Sequence, residues 1–144
     1  MTHATREAWL QAACTLVAPI LDHAGIAAPS DVRVSCGWPA RGALSVARRR
    51  VGECWHGEKN KVHRAHVFVS PCLEDACEVV GVLLHELIHA GLPPKTGHKA
   101  VFARIAKACG LDGKPTATTV GNALAERINA EILPSLGPYP HQAI

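Results

Sequence analysis

Two histidines and a glutamate lie together in the most apolar stretch of the chain. His85 and His89 are four residues apart, Glu86 lies between them, and the surrounding run is Val79 to Ile88. No proline occurs from Cys72 to Leu92, so a helix is expected here. Residues four apart project from one face of a helix, which would bring both imidazoles to one metal ion. A buried helix with incidental histidines is the alternative, but each polar group would then need a buried partner.

The chemistry that these three residues predict is metal-assisted hydrolysis of a peptide bond. Neutral imidazoles suit Zn²⁺, and a catalytic zinc has three protein ligands and leaves its fourth position to water. Such an ion lowers the pKa of that water from about 15.7 toward 7. Glu86 lies about 100° round the helix from His85. We therefore expect Glu86 to act as general base, and later to protonate the leaving amine, rather than to bind the metal.

A third metal ligand must come from another part of the chain. His98 is the first candidate, because Gly91 to Gly97 provide a turn that can bring the next helix back beside the first. Glu126, on the last predicted helix, is the alternative, as in the gluzincins. The metzincin arrangement is disfavoured, since Lys95 stands where its third histidine would fall and Leu92 stands at its glycine position. One Zn²⁺ per chain is predicted.

The first half of the chain is predicted to form one helix and three strands. The helix spans about Thr5 to Leu21, with Thr5 as N-cap and Pro19 kinking it or ending it early. Alternating patterns then predict strands near Val32–Cys36, Arg50–Trp55 and Ala65–Ser70. Because the connections are too short for a crossover helix, the strands are expected to form a three-stranded antiparallel sheet in meander order.

The second half of the chain is predicted to be helical. Ser70-Pro71 resembles an N-cap and first turn, so that one long helix would run to about Ala90. Further helices are expected over His98 to Cys109 and over about Thr119 to Leu133, with residues 134–144 as an irregular tail. The predicted class is α+β, in one domain over residues 1–144, since this length and 48% hydrophobic residues suffice for one core.

Positive charge is concentrated in the segment from Arg33 to Arg64. This segment has eight basic and two acidic residues, a net charge of +6 against +3 for the whole chain, so the remainder carries −3. Trp38 and Trp55 are interleaved with the basic residues. Such a pattern is compatible with nucleic-acid contact, with cations on phosphates and indoles on unpaired bases. Solvated loops whose charge maintains solubility are the alternative.

The N-terminus and the cysteines indicate a compartment. Met1 to Thr15 contains Arg6, Glu7 and Gln11 where a secretory signal needs an apolar run, so a cytoplasmic protein without a membrane partner is expected. In that compartment six cysteines are expected to be reduced thiols. A structural zinc site is a less favoured alternative, because the spacing of its ligands would be unusual. Its ligands would be Cys36, Cys54, Cys72 and Cys77.

The stretch around the histidines resembles the SprT-like metallopeptidase family. His85 to Ala90 read His-Glu-Leu-Ile-His-Ala, and Gly97 to Phe102 read Gly-His-Lys-Ala-Val-Phe. These are similar to the family's HExxH-Ala helix and Gly-His-x-x-x-Phe motif. The similarity continues through Ala103–Leu111 and extends upstream to Val67–Pro71, which resembles the edge strand before the active-site helix. It covers about residues 65–111 and is nearest to small bacterial and bacteriophage members that lack the C-terminal zinc ribbon.

The resemblance implies a minimal zincin-like fold. His85, His89 and His98 would be the zinc ligands and Glu86 the general base, and the substrates would be proteins, including proteins attached to DNA. We therefore expect a zinc-dependent endopeptidase. Two other hypotheses stay open: a nucleic-acid-associated regulatory protein with a chiefly structural zinc site, and a general peptidase without DNA dependence.

Two further roles have candidates in the sequence. Zincins commonly stabilise the oxyanion with a Tyr, His or Arg side chain, and the candidates are Tyr139, His141, His63 and His66. The edge strand Ala65–Ser70 is expected to pair with an extended substrate backbone. The tail around Pro138–His141 could fold over the cleft as a removable inhibitory ligand, although ordinary tail packing is the more favoured reading.

Overall fold

A computed structural model describes residues 2–45, 50–57 and 64–144, and its first element is helix α1, Arg6–His23. The Thr5 hydroxyl accepts a hydrogen bond from the Ala8 N–H at 3.1 Å, which confirms the predicted N-cap. Pro19 lies inside α1 and does not end it, so of the two predicted effects, a kink or an early end, the early end is wrong. Ile20 and Leu21, which follow it, are buried in the core. Their burial stabilises the last turn by roughly 1.5–3 kcal/mol each, which offsets a proline cost of about 3 kcal/mol.

Three strands form one mixed sheet, and the predicted antiparallel meander is wrong. The strands are β1 (Arg33–Cys36), β2 (Gly52–Trp55) and β3 (His66–Val69), in the order β1-β3-β2. β3 is central, parallel to β1 and antiparallel to β2. The prediction failed because β2 itself serves as the connection between the two parallel strands, so no crossover helix is needed. The segment 65–70 is therefore not an edge strand.

The two faces of the sheet differ in chemistry. Val34 of β1 is in register with Val67 of β3, and Val67 with Cys54 of β2, and these side chains face the core. Residues at the alternate positions, such as Arg33, His66 and Trp55, face outward. Helix α1 packs on β1 and the next helix packs on β2 and β3, so the core lies on one side of the sheet.

The central helix α2, Ala76–Gly91, begins later than predicted. Its N-cap is Asp75, whose carboxylate accepts a hydrogen bond from the Glu78 N–H at 2.8 Å. Ser70 is not the cap: its hydroxyl accepts instead from the Cys72 N–H at 3.2 Å, within a turn. The carbonyl of Pro71 accepts a hydrogen bond from the buried Arg6 side chain at 3.1 Å, which ties this turn to α1.

After α2 the chain forms another helix, a short β-hairpin and then the last helical segment. Helix α3 is Ala100–Ala108, and strands β4 (Leu111–Asp112) and β5 (Thr119–Val120) pair antiparallel. Because Thr119 and Val120 pair with β4, the last helix cannot begin at Thr119 as predicted. Helix α4 starts at Asn122 and ends at Arg127.

The last helical segment continues past the predicted stop at Pro134. A π-helical turn, Ile128–Ile132, follows α4 and leads into α5, Leu133–Leu136. Pro134 lies in the first turn of α5, where its missing N–H is tolerated. The irregular tail therefore begins at Gly137. None of the helices in the described ranges combines the length and the apolar character needed to cross a membrane.

The tail lies against α1. The indole N–H of Trp9 donates to the carbonyl of Gly137 at 2.9 Å, and the Arg6 guanidinium donates to the carbonyls of Pro140 and Gln142 at 2.8 and 2.9 Å. Tyr139 is buried in edge-to-face contact with Trp9. These contacts correspond to ordinary tail packing and not to a ligand over the histidines.

Candidate metal centre

Three imidazole nitrogens converge beside α2. His85 and His89 are one turn apart on this helix and are partly buried, and His98 is exposed in the turn before α3. The Nε2 atom of His98 lies 3.3 Å from Nε2 of His85 and 3.0 Å from Nε2 of His89. Among the described residues these three side chains form the group that could hold a metal ion.

The turn before α3 places His98. A 3₁₀ turn, Pro94–Thr96, reverses the chain after α2, and Gly97 follows with φ of 53°, a conformation that favours glycine. Phe102, fully buried on α3, packs against all three imidazoles, with ring centroids 4.8, 4.4 and 5.1 Å from those of His85, His89 and His98. Phe102 therefore provides an apolar surface against which the three imidazoles pack.

The spacing of the nitrogens fits a tetrahedral zinc ion. With Zn–N bonds of about 2.0–2.1 Å, two ligand nitrogens of a tetrahedral site lie about 3.3 Å apart. The two Nε2 separations at His98 are 3.3 and 3.0 Å, and all three ligand atoms lie within 4.8 Å of one another. Three imidazoles leave one tetrahedral position for water or substrate.

The three histidines are held in the neutral form that a metal requires. Burial, together with the neighbouring His98, lowers the pKa of His85 to about 4. Burial and then the adjoining His85 and His98 lower the pKa of His89 to about 3. Burial also lowers the pKa of His98, with a contribution from Arg50. Each imidazole therefore offers a lone pair at neutral pH.

Glu86 is buried beside the cluster under strand β2. The residue above it is Gly52, where a Cβ atom would lie 2.8 Å from Oε2 of Glu86, so only glycine allows this approach. Burial raises the pKa of Glu86 to about 8; the Arg50 charge lowers it and the Glu53 charge raises it. A carboxyl with a pKa in this range can accept and return a proton near neutral pH.

The metal-free protein is expected to lose stability as the pH rises from 6.5 to 8, and Glu86→Gln to remove this loss. Folding raises the pKa of Glu86 from 4.5 to about 8. The folded state thus binds more protons than the unfolded chain in this range, and stability falls as the pH rises. The lowered pKa values of His85 and His89 act below about 6.5 and in the opposite direction.

The expected difference between the wild type and Glu86→Gln grows by roughly 1–2 kcal/mol between pH 6.5 and 8. Urea unfolding with a metal chelator present measures it at both pH values. Parallel pH profiles for the two proteins would contradict the buried, proton-retaining state of Glu86.

Two groups at the site were missed as site residues by the sequence analysis. Thr118 Oγ1 lies 2.7 Å from Nδ1 of His85. Arg50 entered only as part of the basic segment, yet its charge influences the pKa values of Glu86, His89 and His98. A cation there is suited to a polarised carbonyl oxygen. Neither residue has a local sequence signal, since tertiary packing brings both to α2.

Other predicted candidates lie elsewhere. Glu126 is exposed on α4 and is not in the histidine group, so it does not provide the third ligand in this structure. The four cysteines proposed as an alternative zinc site form no metal-ligand group within the described ranges. Burial raises the pKa of Cys54 to about 12, aided by Glu86 and Glu53, which keeps the thiol protonated.

Three of the four candidates for oxyanion stabilisation lie away from the histidines: His66, Tyr139 and His141. His66 is on the outer face of the sheet, 2.8 Å from the Ser35 hydroxyl, whereas Glu86 lies against the inner face. Tyr139 packs on α1, and the carbonyl of His141 accepts a hydrogen bond from Arg6. His63 lies outside the described residues.

No family model, curated protein or solved structure matches this chain. The fold and the site define a mixed α+β protein with a three-histidine group that could hold a metal ion.

Proposed function

We propose that the protein is a zinc-dependent endopeptidase of the SprT-like, zincin-like type. The observation that carries the proposal is the convergence of the Nε2 atoms of His85, His89 and His98, with the buried Glu86 as the helix residue that follows His85. Zinc is the proposed metal, since three imidazoles with an open position suit it better than the harder cations. A purely structural site would have no need of Glu86.

The chain's residues have separate tasks in this proposal. A zinc ion at the three Nε2 atoms would acidify a water and polarise the substrate carbonyl. The carboxylate of Glu86 would accept a proton from the water that attacks the peptide carbonyl and would return it to the nitrogen of the leaving amine as the C–N bond breaks. Phe102 packs against the three imidazoles and keeps them in place.

Strand β2 is the proposed docking edge for the substrate backbone. Residues 65–70 were predicted to be this edge, but that segment is central in the sheet. β2 is at an edge of the sheet, and its Gly52 lies directly against Glu86. An extended peptide paired with β2 would therefore pass beside the proposed general base.

DNA is the proposed partner of the outer face of the sheet. By register Arg33, His66 and Trp55 lie in one row across the three strands. Trp55 is 43% exposed and Trp38 44% exposed. Exposed indoles suit unpaired bases, and an arginine in the same row of the sheet as Trp55 suits a phosphate. Four of the basic residues on which the sequence prediction relied lie outside the described residues: Arg48, Arg49, Lys59 and Lys61.

One experiment separates this function from its alternatives. The zinc-loaded protein is incubated with a chemically unfolded protein, with and without single-stranded DNA, at low and high salt. We expect cleavage that a chelator abolishes, and stimulation by DNA that high salt removes. Metal-dependent folding without cleavage under any condition would favour the regulatory protein with a structural zinc site. Cleavage indifferent to DNA and salt would favour the general peptidase.

A further inference from the structure

We infer that Thr118 is the positioning residue of the metal centre, holding the His85 ring in the orientation that directs Nε2 at the metal and accepting from Nδ1–H when Nε2 binds it. The inference rests on the proposed zinc site. The Oγ1 atom of Thr118 lies 2.7 Å from Nδ1 of His85, while Nε2 of the same ring faces His98 at 3.3 Å. Nδ1 of His85 thus faces the Thr118 hydroxyl, and Nε2 faces another histidine of the proposed zinc site.

The chemistry of imidazole gives this contact its consequence. A neutral imidazole carries its proton on one nitrogen and a lone pair on the other. When Nδ1–H donates to the Thr118 hydroxyl, Nε2 keeps the lone pair that a metal needs. Outer partners of this kind fix the ring and raise its basicity, and losing one typically weakens metal binding by about 10–100-fold.

The packing of the β4–β5 hairpin on α2 positions Thr118 beside His85. Val120, two residues further along, packs on α2 at Gly81, where a Cβ atom would collide with the Val120 side chain. Gly81 is one helical turn before His85. Two strand residues span about 6.6 Å and one helical turn about 5.4 Å, so Thr118 and Val120 can contact His85 and Gly81 respectively. The close contact between Val120 and Gly81 therefore fixes the position of the Thr118 hydroxyl relative to His85.

Neighbouring residues of an extended segment point to opposite sides, and this provides a matched control on the hairpin. Thr119 lies between Thr118 and Val120, is exposed, and pairs with Asp112 across the hairpin. Its side chain projects to the opposite side of the strand. Thr→Val at 118 and at 119 therefore makes the same chemical change at neighbouring positions, and only one of them contacts a histidine.

The test measures zinc affinity by competition with a chromophoric chelator, which does not depend on catalysis. Thr118→Val is expected to bind zinc about 10–100-fold more weakly than the wild type. Thr118→Ser, which keeps the hydroxyl, and Thr119→Val are expected to bind within about threefold of it. In the zinc-bound protein, proton NMR of His85 is expected to show a protected Nδ1–H signal in the wild type and in Thr118→Ser, and none in Thr118→Val.

The metal-free melting temperatures separate positioning from a general structural role. Equal melting temperatures for wild type and Thr118→Val, with different zinc affinities, are the expected combination. Wild-type affinity in Thr118→Val, or an equal loss in Thr119→Val, would overturn the inference. A wild-type protein that binds no zinc would overturn the metal site and this inference together. Zinc binding without proteolysis would contradict only the proposed peptidase.

Discussion

Glu86→Gln is expected to lower proteolysis by about 10³-fold while the zinc stays bound, because a general base contributes about 10²–10⁴-fold to such reactions. The amide has nearly the shape of the carboxyl and fits under Gly52, so the three imidazoles keep their positions. It cannot accept the proton of the attacking water or return it to the leaving amine. The measurement is the cleavage rate of an unfolded protein together with the zinc content of the same sample.

Glu78→Gln is the matched control for this prediction. Glu78 is on the same helix but exposed, and its backbone N–H caps the helix through Asp75 whatever its side chain. We expect wild-type cleavage and zinc content from this variant. Undiminished cleavage by Glu86→Gln would exclude Glu86 as the general base, and loss of its zinc would leave the cleavage defect attributable to the metal site.

Local patterns predicted the elements of the fold but not their arrangement. The Thr5 cap, the three strands and the α2 helix follow from residues close together in sequence. The central place of β3 does not, because it depends on pairing between β1 and a strand more than thirty residues later. Two local signals also failed to predict helix ends. Helix α1 continues past Pro19 because the residues after it are buried, and Asp75 caps α2 in place of Ser70.

The candidate site was predictable to the extent that its ligands are local. His85, Glu86 and His89 occupy one helix, and His98 follows after a turn that Gly97 permits, so spacing was sufficient. Thr118 reaches the site from the residue just before the two-residue strand β5, which no periodic pattern reveals, and Gly81 looked only like a glycine in an apolar helix. The polar partners of a histidine such as His85 come from whichever element packs nearby, and residue spacing does not predict that packing.

His98→Ala is expected to weaken zinc binding by more than about 100-fold, since even the loss of an outer partner costs about 10–100-fold. His98 is the shared neighbour in the two short Nε2 contacts, at 3.3 and 3.0 Å, and its removal leaves two ligands on α2. Because its side chain is exposed, the substitution removes little packing and the fold is expected to persist. Zinc affinity by chelator competition and elemental analysis after dialysis measure the loss.

His23→Ala and Glu126→Gln serve as controls for this result. His23 is an exposed histidine at the end of α1, so its loss tests whether any imidazole matters. Glu126 was the alternative third ligand in the sequence, yet it is exposed on α4 and outside the histidine group. Both variants are expected to retain wild-type zinc affinity. Full zinc retention by His98→Ala, with loss in Glu126→Gln, would instead require α4 to turn its carboxylate toward α2 and would reassign the site to a gluzincin-type ligand set.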